Sequence, residues 1–281
     1  MTASPSFYAA SSLPAALDAL AEYGPQGAPL AGGTWIMRAP TRHERLKPAY
    51  VGLGRVAELT RIEETDGILS IGAGVTHSAL AEAVAGRPEL RVLAEAAGRS
   101  ANPAIRRAAT VGGNLCTTDF AAADLVPALL CLDAEVEIAS RGGTERLPLA
   151  AFLSLRHSLE PGRLLTRVLV PRSGAVSAHA RLPLRKAGDY PTAIVSLSIT
   201  RDAAGRIAQA RVAVGSVETV ARRWTRLEAA LAGAPLDGEQ AHRAATELAD
   251  EFVGRDGVEA PGWYRVSVLP VLVRRAVIAL H

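Results

Sequence analysis

Two pairs of adjacent glycines constrain this chain more than any other feature. One lies in Leu30-Ala31-Gly32-Gly33-Thr34-Trp35-Ile36, the other in Ala109-Thr110-Val111-Gly112-Gly113-Asn114-Leu115. Consecutive residues without a Cβ let the backbone turn so that several N–H groups point one way. Such a concavity holds an anion without a charged side chain. Two of them can close on both sides of a pyrophosphate, which implies a dinucleotide rather than a lone phosphate. A third glycine run, Gly72-Ala73-Gly74, is not a Rossmann fingerprint. That pattern needs a small residue three places on, and position 77 is His.

The chemistry that the chain excludes is as informative. There is no Gly-Lys-Ser/Thr loop for a nucleoside triphosphate and no nucleophile elbow for a hydrolase. His43, His157, His179, His242 and His281 are scattered, and His77 stands apart only by lying at a Gly-rich turn. The two cysteines, Cys116 and Cys131, are not in CxxC spacing, and two thiols alone make neither a zinc site nor an iron–sulfur site. No metal is expected in this chain. Free thiols suit a reducing cytoplasm. With 31 basic and 28 acidic residues among 281, no basic stripe suggests nucleic acid. No Lys or Arg precedes Arg38, against the basic start of an export signal. The longest apolar run, Val266 to Leu280, is broken by Arg274 and Arg275, so no membrane span is expected.

Hydrophobic periodicity gives a coarse map. Ser12-Leu13-Pro14 starts a helix with Leu13, Leu17 and Leu20 inward and Gly24 ending it. Tyr50–Leu53 and Ile68–Gly72 read as strands, with helices over His77–Ala85 and Glu89–Arg99. Ala123–Leu130 is a further apolar helix, with Asp124 at its start. Glu135–Ala139 alternates as an edge strand, and Arg141-Gly142-Gly143-Thr144 signals a hairpin. After about residue 175 the pattern changes. Ala193–Thr200 and Ile207–Val214 read as antiparallel strands joined by Asp202–Gly205. Helices follow over Thr219–Leu231, Gly238–Phe252 and Tyr264–Leu280. Strands first and helices after suggest a second domain, so the chain divides into 1–172 and 173–281. Asp124 is read either as a carboxylate favoured at a helix start or as an acceptor for a cofactor's ring N–H or hydroxyl.

Taken in order, these segments resemble the flavoprotein (medium) subunit of the molybdenum hydroxylases, the family of carbon monoxide dehydrogenase and xanthine dehydrogenase. The resemblance runs through Ala31-Gly32-Gly33-Thr34, Ile71–His77, Ile105-Arg106 and Thr110–Asn114. It continues through Ala123–Leu130, Leu132-Asp133-Ala134, Arg185–Ala193 and Arg274-Arg275-Ala276. It implies an α+β fold: a two-part FAD-binding domain of the vanillyl-alcohol-oxidase (PCMH) type, then an antiparallel sheet plus helices. It implies FAD, with Ala31, Gly32, Gly33, Thr34, Trp35 and Ile36 and with Thr110, Val111, Gly112, Gly113 and Asn114 at the pyrophosphate. Asp124 would touch the ribityl chain or flavin edge, and Leu165 and Lys186 would lie near the isoalloxazine. No side chain is expected to be catalytic, since the flavin carries the redox chemistry. Partner large and small subunits would hold a molybdenum cofactor and iron–sulfur clusters, with NAD or oxygen as electron acceptor. A stand-alone FAD oxidase or dehydrogenase, and a non-catalytic structural subunit, stay open as alternatives. Two departures from the family pattern are visible: Trp35, and the stretch Leu115–Ala123 in place of an Ala-Ser-Pro-rich segment.

Overall fold

The computed structural model describes residues 4–184 and 190–281. They form two compact units, each drawn from several stretches of chain. The first runs through Ala79 and then takes Pro103–Thr118 and Ala134–Val170; the second takes Leu80–Asn102, Asp119–Asp133 and Pro171–His281.

The first unit holds two sheets. Strands β1 (Ser6–Ala9), β2 (Gly27–Leu30) and β3 (Ala49–Gly52) form a parallel sheet in the order β1-β3-β2. The crossover between β1 and β2 is the helix Leu13–Tyr23. Ser12 Oγ accepts the Ala15 N–H at 3.3 Å, Pro14 sits in the first turn, and Gly24 closes the helix at φ 52°. Leu17 and Leu20 are buried against Val51, Leu53, Val56 and Leu59, with Leu13 partly buried beside them. A Ser12→Ala change should cost about 1 kcal/mol of stability, the usual loss for an N-cap hydroxyl, measurable as a lower midpoint in urea.

The second sheet of this unit has the order β4-β5-β8-β6-β7, from Ile62–Thr65, Ile68–Gly72, Leu164–Pro171, Glu135–Ser140 and Gly143–Pro148. The hairpin falls where expected, with Ser140 opposite Gly143. The expectation of an edge at Glu135–Ala139 fails: β6 is interior, and β7 is the edge. Val136 and Ile138 are buried, and the charged positions between them are met by neighbours. Glu137 faces Arg146 on β7 and Arg167 on β8, at 3.3 and 3.8 Å. Arginines on both flanks let an alternating charged strand sit inside a sheet.

The second unit is built on the antiparallel sheet β12-β11-β10-β9, from Arg222–Arg223, Ile207–Gly215, Pro191–Arg201 and Val176–Pro183. Asp202 Oδ1 holds the β10–β11 turn by accepting N–H groups of Ala204 and Arg206, both at 2.9 Å. One sheet face carries Ala178, Ala180, Val195, Leu197, Val212 and Val214. It packs on the helices Thr225–Leu231, Gly238–Leu248 and Leu269–Ile278. Residues of the opposite phase, Ser177, His179, Ser196 and Ser198, are buried and polar. They meet the helices Arg91–Arg99 and Leu125–Leu130: the Val92 N–H donates to Ser177 Oγ at 3.0 Å, and the His179 N–H to Glu95 Oε2 at 3.3 Å.

The helix expected from Thr219 begins only at Thr225. Arg222 and Arg223 pair instead with Val214 and Ala213 as a short strand. Arg222 binds Glu218 and Glu251, and Arg223 binds Glu228 and Asp133. The pairing with β11 and the distant partners Glu251 and Asp133 outweigh a local helical preference. The segments Gly238–Phe252 and Tyr264–Leu280 are helical with breaks. The first ends in a 3₁₀ turn at Ala249–Glu251, and the second divides around Val268.

Candidate functional site

The first glycine loop leaves the end of β2. The Leu53 N–H donates to Leu30 O at 2.9 Å and fixes the strand end. Gly33 then takes φ +69°, a conformation that L side chains rarely adopt. Its carbonyl accepts the Met37 N–H at 2.9 Å. The amides of Ala31, Gly32, Gly33 and Thr34 donate to no acceptor among the described residues. All four residues are half-buried. Such a run of uncommitted N–H groups in a half-buried loop offers hydrogen-bond donors with no protein acceptor.

The second glycine loop is built differently. Thr110 is extended and caps the helix Val111–Cys116, its Oγ1 accepting the Gly113 N–H at 3.1 Å. The Asn114 N–H donates to Thr110 O at 2.9 Å. The Val111 and Gly112 amides reach across to Val75 O and Ala73 O, at 2.9 and 2.8 Å. The expected donor nest is therefore absent here: the four amides from 111 to 114 are engaged inside the protein, and neither glycine has positive φ. Gly112 serves close approach instead. A Cβ there would lie 2.8 Å from Ala73 Cβ and 2.9 Å from Ala73 O. Asn114 Oδ1 is sealed from solvent with no hydrogen-bond partner.

The two loops touch. A Cβ on Gly32 would fall 1.7 Å from the carbonyl oxygen of Ala108. The turn Gly72-Ala73-Gly74 supports the second loop, whose amides bond the carbonyls of Ala73 and Val75. Sequence reasoning discarded this turn as a dinucleotide fingerprint and missed its supporting role. The available signal was its place in the ordered family segments.

The other expected residues fall as follows. Trp35 and Ile36 are half-buried and continue the first loop into the 3₁₀ segment Ile36–Arg42. The Arg42 guanidinium lies 4.0 Å from the Trp35 ring centroid and donates to Trp35 O at 3.1 Å. Glu44 grips that guanidinium with both oxygens, at 2.8 and 2.6 Å, and its carboxyl is held below the usual carboxylate range by Arg42. One face of Trp35 is thus covered by a cation–π contact. Leu165 is buried in β8 opposite Ile138. Lys186 lies outside the described residues. Asp124 belongs to the second unit and is 2% exposed. It makes no side-chain cap on its helix; its carboxylate binds Arg181 and His179.

In the departing stretch after Asn114, Thr117 Oγ1 donates to Gly113 O at 2.7 Å, and Phe120 meets Tyr190 edge-on at 5.0 Å. Cys116 is exposed and Cys131 buried, both as free thiols, and burial pushes the Cys131 thiol well above its ordinary range. Among the described residues no cluster of His, Cys, Asp and Glu could hold a metal, and no helix is long and apolar enough to cross a membrane.

Residues 3–173 match the family described as FAD binding domain in molybdopterin dehydrogenase. Residues 178–280 match the CO dehydrogenase flavoprotein C-terminal domain. The chain is 31% identical over 280 residues to the 6-hydroxypseudooxynicotine dehydrogenase complex subunit alpha of Paenarthrobacter nicotinovorans, covering 98% of this chain and 94% of that protein. It is 29% identical over 269 residues to the carbon monoxide dehydrogenase medium chain of Afipia carboxidovorans, covering 93% and 91%. Among solved structures, the Cu,Mo-CO dehydrogenase in its cyanide-inactivated form superposes with a TM-score of 0.90 at 26% identity, over 100% of both chains. With a half-buried run of open amides at its first glycine loop and two family models across its length, the chain belongs to the molybdopterin dehydrogenase FAD-binding family, as an FAD-binding subunit of the molybdenum hydroxylases.

Proposed function

We propose that the chain is an electron relay, passing electrons from a partner's iron–sulfur clusters to an acceptor such as NAD or oxygen. The observation that carries this reading is the run of open amides at Ala31–Thr34, abutting the Ala108–Thr110 backbone through Gly32. A diphosphate offers only acceptors, so a run of donors with no protein partner fits it. Bound FAD would supply all of the redox chemistry. The chain's own work is to bind, orient and partly bury the cofactor. Ala31–Thr34 would grip the diphosphate through main-chain N–H groups, with Trp35 and Ile36 shaping that loop. Thr110, Val111, Gly112, Gly113 and Asn114 would form a rigid second wall, because their amides are already engaged. Asp124, Leu165 and Lys186 would serve the flavin end.

The fold reading is a PCMH-type FAD-binding domain over 1–172, followed by a flavoprotein C-terminal domain over 173–281. The partners would be a molybdenum-cofactor large subunit and an iron–sulfur small subunit, in a reducing cytoplasm that keeps both thiols free. The test is direct. Purified protein should take up one FAD per chain, with flavin absorbance, and should reduce an acceptor only when a cluster-bearing partner and its substrate are added. A protein that takes up no FAD sinks the reading; turnover by the isolated chain replaces it with a stand-alone dehydrogenase.

A further inference from the structure

The first glycine loop has few ties of its own. Its four amides, from Ala31 to Thr34, donate to no described residue, so they add nothing to its rigidity. The loop keeps its shape only where other groups hold it. At its start the Leu53 N–H binds Leu30 O, and within it Gly33 O accepts the Met37 N–H, both at 2.9 Å.

The exit is held by a side chain. Trp35 follows the last open amide, and its carbonyl accepts twice, from the Arg38 N–H and from Arg42 Nη1, both at 3.1 Å. The same guanidinium lies 4.0 Å from the centre of the Trp35 ring. Arg42 thus holds the main chain and the ring of one residue together. Its other two nitrogens go to Glu44: Nε donates to Oε1 at 2.8 Å and Nη2 to Oε2 at 2.6 Å. The chain reverses at His43, which takes φ 59°, and the Glu44 N–H returns to Ala39 O at 3.0 Å. All of these residues lie in the first unit.

We propose that Arg42 and Glu44 are positioning residues: Glu44 fixes the Arg42 guanidinium, which pins Trp35 and so keeps the Ala31–Thr34 amides in the arrangement that receives a diphosphate. This rests on the reading above that those amides grip FAD. A loop already held in its bound shape spares the cofactor the cost of ordering it. Both side chains act through Trp35, and neither meets the cofactor.

The test uses the full chain stripped of flavin and titrated with FAD, with urea denaturation of the flavin-free protein beside it. Arg42→Gln should weaken FAD about tenfold, the scale of one lost charge-assisted hydrogen bond. The urea midpoint should hardly move, because the ion pair is exposed, with 23% and 48% of the two side chains open to solvent. A loss of affinity matched by an equal loss of stability would mean a merely structural role and overturn the inference. Glu44→Gln decides how Arg42 acts, since it removes a negative charge beside the guanidinium. A guanidinium that met the diphosphate directly would then bind FAD more tightly, which overturns the inference. A guanidinium that works by holding Trp35 should leave FAD a few-fold weaker. Trp35→Leu should also weaken FAD, and the double variant Trp35→Leu with Arg42→Gln should lose less than the two single losses combined, because they break one clamp. Additive losses overturn the inference, as does parental affinity in Arg42→Gln. Gly33→Val separates the two levels. Loss of FAD there, with the Arg42 series at parental affinity, overturns only the clamp. A parent protein that takes up no FAD overturns the reading beneath it.

Discussion

A Gly32→Ala protein is expected to lose FAD and to unfold well before the parent. The added methyl would sit 1.7 Å from the Ala108 carbonyl oxygen and 2.5 Å from its carbon. Those are main-chain atoms of the residue just before the second loop, and no rotamer change can clear them. The two glycine loops must part. A forced backbone displacement in a packed region costs about 2–4 kcal/mol, and the open amides lose their common aim. FAD affinity should fall about 100-fold, which corresponds to roughly 2.7 kcal/mol. Gly54→Ala is the matched control: nothing lies within 4 Å of a Cβ there, and its φ is ordinary. Denaturation and FAD titration on both variants check the claim. Parental affinity in Gly32→Ala would show that loop contact does not shape the anion site.

The second large effect belongs to the core of the other unit. Trp224 is fully buried and meets the Phe252 ring edge-on at 4.9 Å and 89°, and the Arg222 guanidinium lies 4.1 Å from the centre of that same Phe252 ring. Its backbone is tied on both sides: its N–H donates to Val212 O at 2.7 Å, and its carbonyl accepts the Glu228 N–H at 3.0 Å. Trp224→Ala should therefore leave a cavity between the sheet and the helix Thr225–Leu231 and cost about 3–5 kcal/mol. Trp224→Phe should cost less than half of that. It keeps most of the volume, and the indole N–H that it removes is buried without a partner. Urea denaturation decides this; a Trp224→Phe protein as unstable as Trp224→Ala would refute the packing account.

What could be read from residues alone was local. Ser12 and Gly24 bracket their helix because capping acts within one turn. The turn Asp202–Gly205 was visible because Asp202 satisfies the amides of its own neighbours. The first glycine loop carries open donors as its composition implied. The second pair has the same composition and the opposite state, because its amides find carbonyls at Ala73 and Val75, far off in sequence. Glu137 gave no hint that arginines stand on both sides of it. Asp124 read as a helix-start carboxylate or a cofactor acceptor, while its partners, His179 and Arg181, lie 55 and 57 positions away. In each case the fold makes a contact that the local pattern does not announce.

The five-stranded sheet takes β4 and β5 from before residue 73 and its other three strands from after residue 134. Between them the chain departs into the second unit, comes back, and departs again. Neither unit is thus a continuous stretch of gene. A stop codon near residue 173 would leave the helices Arg91–Arg99 and Leu125–Leu130 without the antiparallel sheet whose polar face they cover. The second unit is therefore complete only when the chain on both sides of residue 173 is present.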